Sequence, residues 1–146
     1  MAESGSGHDL GVLDTSTLLL LGRMTDSAGL PARPLISAVT LAELSVGPLV
    51  STDERQRATR QAHLQLAEES FDPLPFDRAA ARAFGGVAAS LRRAGRKPAA
   101  RAFDAMIAAT ALARGLPLFT CNPDDFRGID DLAVVAVPVP PDPGSS

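Results

Sequence analysis

Short apolar runs alternate with longer amphipathic stretches along most of this chain. Residues 11–13, GVL, form a brief continuous apolar run that predicts a buried strand, and the leucine-rich stretch 16–24 predicts a helix after it. A second strand is expected at 34–37, PLIS, followed by a helix carrying AVTLAELSVGP. Residues 52–70 have helical composition and open with Thr52, Asp53 and Glu54, residue types that cap a helix and suit its positive end. The stretch 71–76, FDPLPF, is too short and too interrupted by proline for a helix and predicts an edge strand. Residues 77–93 predict a helix stopping near Gly95, and 102–114 an Ala-rich helix stopped by Gly115. LPLFT at 116–120 is a strand, NPDDF a turn with one helical turn, and LAVVAV at 132–137 the last strand. This alternation predicts an α/β domain with a central, mostly parallel sheet flanked by helices, in which ligands collect at the carboxyl ends of the strands. The small polar start, 1–9, and the Pro-rich end, 139–146, are expected to be a flexible leader and tail around one domain at 10–138.

Acidic residues break the apolar pattern at four strand–helix junctions. Asp14 follows the first strand, Glu43 sits one turn into the helix after the second, Asp104 opens the Ala-rich helix, and Asp125 follows LPLFT. Each has a structural explanation of its own. Asp14 or Ser16 fits a helix cap, Thr40 to Glu43 fits a capping box, and Asp104 fits a first-turn acid complementing the helix dipole. Asn122 and Pro123 fit the N-cap and first position of a helical turn, with Asp124 and Asp125 as dipole partners. Taken together these explanations are strained, because Asp14 and Asp104 interrupt sequence that is apolar on nearly every face. A buried carboxylate without a partner costs several kcal/mol, so such acids normally pair with a cation or ligate a metal. Four hard oxygen ligands without His or Cys suit Mg²⁺ or Mn²⁺ better than zinc.

Composition narrows the setting. The chain of 146 residues is long enough to bury a sizeable core, and without Trp or Tyr that core must be largely aliphatic. A lone cysteine, Cys121, excludes an internal disulfide and any one-chain zinc site with two or more thiolates, and fits a reducing, cytoplasmic setting. No apolar run reaches the about 20 residues of a membrane span, and the start MAESGSGHD lacks the basic and apolar regions of a signal peptide. Neither a signal peptide nor membrane association is therefore expected.

The quoted motifs resemble the PIN domain of VapC-type toxins from bacterial toxin–antitoxin pairs. VLDTS after the first strand, TLAELSVG on the second helix and FDAMIAATALARGLPLFTCNPDDF near the end carry the likeness, which runs from about residue 11 to 137. It implies a parallel sheet with surrounding helices and an Mg²⁺-dependent endoribonuclease of a type II system, with Mn²⁺ as a substitute. It also implies inhibition by a small VapB-like antitoxin, a homodimer and a hetero-oligomer with that antitoxin. Residue by residue, the family's four acids fall on Asp14, Glu43, Asp104 and Asp125; Thr15, Ser16, Thr120 and Asn122 match polar residues that support the metal shell. Asp124 and Cys121 stand at variable positions. One departure is Phe103, where many relatives have a small or polar residue before the third acid.

RNA can be cut without metal, by its own 2′-hydroxyl with histidine acid–base help, or by water that a metal ion activates. His8 lies in the leader and His63 in a polar helix, so the second route is expected, leaving a 5′-phosphate and a 3′-hydroxyl. In that scheme Asp14, Asp104 and Asp125 hold metal directly or through water, and Glu43 ligates a second ion or orients the attacking water. Other acid-based folds fail on spacing: a dehalogenase-like phosphatase needs a second Asp where Ser16 stands, and a receiver domain needs a strand-end Lys, whereas the only Lys is Lys97.

A net charge of −3 argues mildly against nucleic-acid binding, so phosphate affinity must come from local charge. Arg92, Arg93, Arg96, Lys97 and Arg101 cluster just before Asp104 and read either as a solvated helix end or as a track that positions an RNA backbone near the metal. The competing functional class is a PIN-like module that binds RNA or protein without catalysis; retention of all four acids favours the nuclease.

Overall fold

Four of the five expected strands form one parallel sheet, and their connections supply the helices. The computed structural model describes residues 9–24 and 29–141. Strand β1 (Leu10–Leu13) leads into helix α1 (Thr15–Leu20), which tightens into a 3-10 turn, Leu21–Arg23. Then come β2 (Arg33–Leu35), α2 (Ala38–Leu49), α3 (Glu54–Ser70) and α4 (Arg78–Arg93). A 3-10 turn, Pro98–Arg101, enters α5 (Ala102–Ala113), followed by β3 (Leu118–Thr120), a 3-10 turn Pro123–Phe126, and β4 (Val134–Ala136). The sheet order is β2-β1-β3-β4 and every pair is parallel, as the sequence pattern predicts.

Successive residues of β1 and β3 face opposite sides of the sheet, as strand geometry requires. Val12 and Leu118 join Val87, Leu91, Ile107 and Phe126 in a core under α4 and α5. Leu13 and Phe119 join Ile36, Leu44 and Ala67 in a second core under α1, α2 and α3. Three residues of the leucine run, Leu18, Leu20 and Leu21, pack on that second core, while Leu19 is exposed. The run thus anchors α1 on the sheet and fixes what stands at the tip of β1.

The chain leaves β1 for β2 on one side and returns to β3 on the other, so the carboxyl ends of β1 and β3 flank the point where strand order reverses. Open parallel sheets bind ligands at such a point. The register there is set by Val12 beside Leu118 and Leu13 beside Phe119, which brings Asp14 and Thr120 to one edge.

Three details depart from the expected elements. The first helix keeps α geometry only to Leu20, with Gly22 in the tighter turn that follows, as helix C-termini often show. The expected edge strand at 71–76 is reduced to a single parallel bridge between Leu74 and Ser37. The flanking Pro73 and Pro75 have no N–H, so only Leu74 can both donate to Ile36 O and accept from Ala38 N, at 2.9 and 2.8 Å. The capping box at Thr40 is not formed: Ser37 caps α2 through Val39 N, which leaves Glu43 free for other partners. Gly115, by contrast, ends α5 as expected, with φ +64° and bonds from Gly115 N to Leu112 O and from Leu116 N to Ala111 O.

The expected leader and tail fall largely outside the described residues. Of the parts described, Asp9 pairs with Arg33 at 2.9 Å and Pro141 O accepts from Arg23 at 2.8 Å. No helix among the described residues is long and apolar enough to cross a membrane.

Gly11 is the tight point between the strands and the second core. A Cβ there would lie 2.3 Å from the buried Phe119 ring and 3.3 Å from Pro31 Cβ. Gly11→Ala is expected to cost about 1–3 kcal/mol of stability, as overpacking of a filled core does, read from urea unfolding; an unchanged midpoint would show that β1 and the ring can separate freely.

Candidate active site at the sheet edge

Asp14 is the first residue beyond β1 and the N-cap of α1. Its carboxylate is buried, at 2% exposure, and accepts three hydrogen bonds. Thr17 N donates to Oδ1 at 3.3 Å, while Ser16 Oγ and Thr120 Oγ1 donate to Oδ2 at 3.1 and 2.9 Å. The capping explanation therefore holds in part, but the bond from Thr120 comes from β3 and makes Asp14 a link between two strands. Asn122 extends the link: its side chain donates to Ser16 Oγ at 3.1 Å, and its backbone N–H donates to Thr120 Oγ1 at 2.9 Å. Asn122 therefore does not cap the Pro123–Phe126 turn through its side chain.

Glu43 faces the same edge from α2. Thr15 Oγ1 donates to Glu43 Oε1 at 2.5 Å and shares a 3.0 Å hydrogen bond with the Thr40 hydroxyl. Burial raises the Glu43 pKa, the Thr15 bond opposes this, and the charge of Asp14 adds to the rise.

Asp104 stands in the first turn of α5, and no hydrogen bond or ion pair holds its carboxylate among the described residues. Burial, then the charges of Asp125, Asp14 and Glu43, push it up to about 6, with Arg101 pulling the other way. Asp104 does stand in the first turn, where a helix N-terminus favours an acid, but burial and three neighbouring carboxylates also bear on it. All three other acids act on Asp104, so the structure brings the four into one electrostatic cluster.

Asp125 lies in the turn after β3 and forms an ion pair with Arg101 at 3.5 Å. Asp124, next to it, turns outward to Arg127 at 2.8 Å, which lowers its pKa. The two aspartates of NPDDF thus separate, with Asp125 toward the cluster and Asp124 away from it. Phe103 is exposed beside Asp104.

Two polar residues in this network were not among the expected site residues. Thr17, fully buried, accepts from Cys121 N at 2.9 Å and so ties α1 to the end of β3; Thr40 completes the Thr15–Glu43 chain. A hydroxyl at position 17 inside a leucine-rich helix was the available signal for the first.

The basic cluster divides. Arg93 bonds Asp130 at 2.5 Å, Arg96 bonds backbone carbonyls of the Asp125 turn, and Arg101 lies within the acid cluster. Arg92 and Lys97 are exposed, and their side chains hold no partner among the described residues. Arg93 and Arg96 thus each commit one guanidinium nitrogen to partners within the protein, Arg93 through Nη2 and Arg96 through Nη1.

His63, expected in the middle of a polar helix, lies on α3. It lines a groove of about 300 Å³ with Thr15, Leu19, Glu43, Val46 and Arg60, between α1, α2 and α3. His8 lies outside the described residues.

As they stand, no three acidic, His or Cys side chains among the described residues close around a point where an ion would sit. Mg²⁺ does not need that: it keeps several waters and takes one or two carboxylates. An all-oxygen cluster whose repulsion Arg101 relieves in part fits such a hydrated ion.

A family model described as PIN domain matches residues 12–132. The chain belongs to the PIN domain family. Ribonuclease VapC5 of Mycobacterium tuberculosis is 40% identical over 129 residues, covering 87% of this chain and 93% of that protein. Ribonuclease VapC4 of the same species is 34% identical over 102 residues, covering 70% and 75%. Among solved structures, a chain of the M. tuberculosis toxin–antitoxin complex VapBC-5 superposes with a TM-score of 0.74 at 38% identity, covering 88% of this chain and 99% of that one. A chain of VapBC-1 from nontypeable Haemophilus influenzae gives 0.67 at 26% identity, covering 87% and 97%. The family likeness carried by the motifs is borne out, and this PIN domain is of the VapC type.

In the metal-free PIN domain, Asp104 binds its proton more tightly folded than unfolded. Its contribution to stability is thus fully present below about pH 4, where both states are protonated, and is lost as pH rises through about 6. Asp104→Asn is expected to raise the melting temperature of the metal-free protein at pH 7.5 and to flatten its dependence between pH 4 and 7. A variant that melts no higher than the wild type at pH 7.5 would show that the repulsion is already relieved.

Proposed function

We propose that this chain is a metal-dependent endoribonuclease of the VapC type, restrained in the cell by a VapB-like antitoxin. The single observation that carries the reading is the convergence of Asp14, Glu43, Asp104 and Asp125, from four separate elements, on the edge where strand order reverses. Support comes also from relatives that are named ribonucleases and from solved neighbours that are toxin–antitoxin complexes.

Asp14, Asp104 and Asp125 would hold Mg²⁺, with Mn²⁺ as a substitute, directly or through water. The bound ion would supply positive charge for the phosphoryl oxygens and lower the pKa of the attacking water. The remaining work belongs to this chain. Glu43, with its pKa raised and Oε1 fixed by Thr15, is placed to accept a proton from water. Thr120, Ser16 and Asn122 hold Asp14 in one orientation, so the site does not reorganise when charge develops. Arg101 is the cation nearest the acids and, with exposed Lys97 and Arg92, forms the phosphate contact. Base stacking is limited, since the chain has six Phe but no Tyr or Trp.

The groove beside Glu43 exposes Leu19, Val46 and Val50 and is open at the sheet edge. It suits an amphipathic antitoxin segment, whose basic residue would reach the acids from there. Assembly with the antitoxin, a homodimer and a cytoplasmic setting follow from the same reading.

Asp14→Asn should keep the fold while cleavage of a single-stranded RNA falls by more than about 10²-fold, the upper range for losing only an outer partner of a metal ligand. Wild-type cleavage should stop with EDTA, return with Mg²⁺, and leave 5′-phosphate ends. Full activity in the variant, or 2′,3′-cyclic phosphate products, would overturn the proposal.

A further inference from the structure

Helix α4 ends in a motif that aims one side chain. Gly95 takes φ +77°, Gly95 N donates to Arg92 O at 3.0 Å, and Arg96 N donates to Leu91 O at 2.8 Å. This pair of bonds is the glycine-dependent helix stop that satisfies the last carbonyls and fixes the direction of the chain beyond. Arg96 is the residue immediately past it. Its Nη1 donates to Asp124 O at 2.8 Å and to Arg127 O at 2.7 Å. Those two carbonyls lie one residue before and two residues after Asp125, so one guanidinium grips the backbone on both sides of the fourth acid. They also lie in and just past a short 3-10 turn, whose carbonyl end favours a cation.

Neighbouring contacts close the same joint. Arg93 bonds Asp130 at 2.5 Å, and Asp130 N donates to Ser90 Oγ at 3.2 Å, which secures the chain beyond the turn to α4. Gly128, at φ +93°, comes so near the end of α4 that a Cβ on it would lie 2.7 Å from Ala94 Cβ. The turn carrying Asp125 is therefore bolted to the C-terminus of α4, far from it in sequence.

We infer that Arg96 is a positioning residue for Asp125, holding the turn that carries this acid instead of binding RNA. The inference rests on the nuclease reading for its catalytic consequence, but the clamp itself does not. Loss of the clamp frees the turn, and misplacement of a site group by about 1 Å can cost on the order of 10²-fold in rate.

The test compares Arg96→Ala, Arg96→Lys and the charge control Arg82→Ala, an exposed arginine on α4, in the full chain. Hydrogen exchange of the metal-free protein should quicken across 122–130 in Arg96→Ala while the sheet and α5 stay protected. It should be restored in Arg96→Lys, whose ammonium can still bond a carbonyl, and be unchanged in Arg82→Ala. With Mg²⁺ and RNA, kcat should fall about 10- to 100-fold in Arg96→Ala, with KM close to wild type. Water-proton relaxation with Mn²⁺ should show weaker binding in that variant. Wild-type exchange across 122–130 in Arg96→Ala would overturn the clamp, and a raised KM with kcat unchanged would make Arg96 an RNA contact. A wild-type protein that fails to cleave RNA would sink the nuclease reading while leaving the exchange result to judge the clamp alone.

Discussion

A carboxylate buried at the tip of a parallel strand imposes a condition on everything around it. Asp14 is almost sealed from water, so each oxygen must find donors in the protein or lose several kcal/mol. The donors come from three places: the backbone of α1, the hydroxyl beside Asp14, and Thr120 at the end of β3. Meeting that demand fixes the start of α1, the pairing of β1 with β3, and the path of the chain into the turn after β3. Thr17, which receives Cys121 N from the same turn, doubles the tie. The parallel sheet thus acquires its register at the place where chemistry needs it.

The other acids are held by a different balance. Glu43 has one strong donor, Asp125 has a cation at a longer distance, and Asp104 has neither. Repulsion inside the cluster is tolerated because the cores above and below the sheet are well filled and because α5, buried on nearly every face, holds Asp104 where it is. Stability is spent at the edge of the sheet and recovered in its interior, a distribution common to sites that must bind charge.

The acids and the alternation of elements were legible because both depend on residue type in local sequence. A carboxylate amid leucines or alanines is conspicuous, and a glycine after a helical run, as at Gly115, announces its own geometry. Glu43 was ambiguous for a local reason: Ser37 and Thr40 both suit the start of α2, and only the extended backbone at Ser37 and the burial of Thr40 decide between them. The edge strand at 71–76 shrank to one bridge because two prolines leave a single donor between them. The roles of Arg93 and Arg96 were hidden altogether. Their partners are a carboxylate 37 residues away and carbonyls 28 and 31 residues away, and a backbone carbonyl has no signature in sequence. A run of arginines before an acidic site looks the same whether it meets phosphate or main chain.

The left-handed glycines at 95 and 128 give the site a dependence on residues that have no chemistry of their own. One turns the chain so that an arginine leaves α4 in the right direction, and the other lets the receiving turn come close enough to be reached. Any side chain at either place would be felt at a carboxylate it never touches. Sensitivity to substitution in this domain is thus expected to follow the backbone's handedness as well as the acids, and to surface in stretches that look like mere connection.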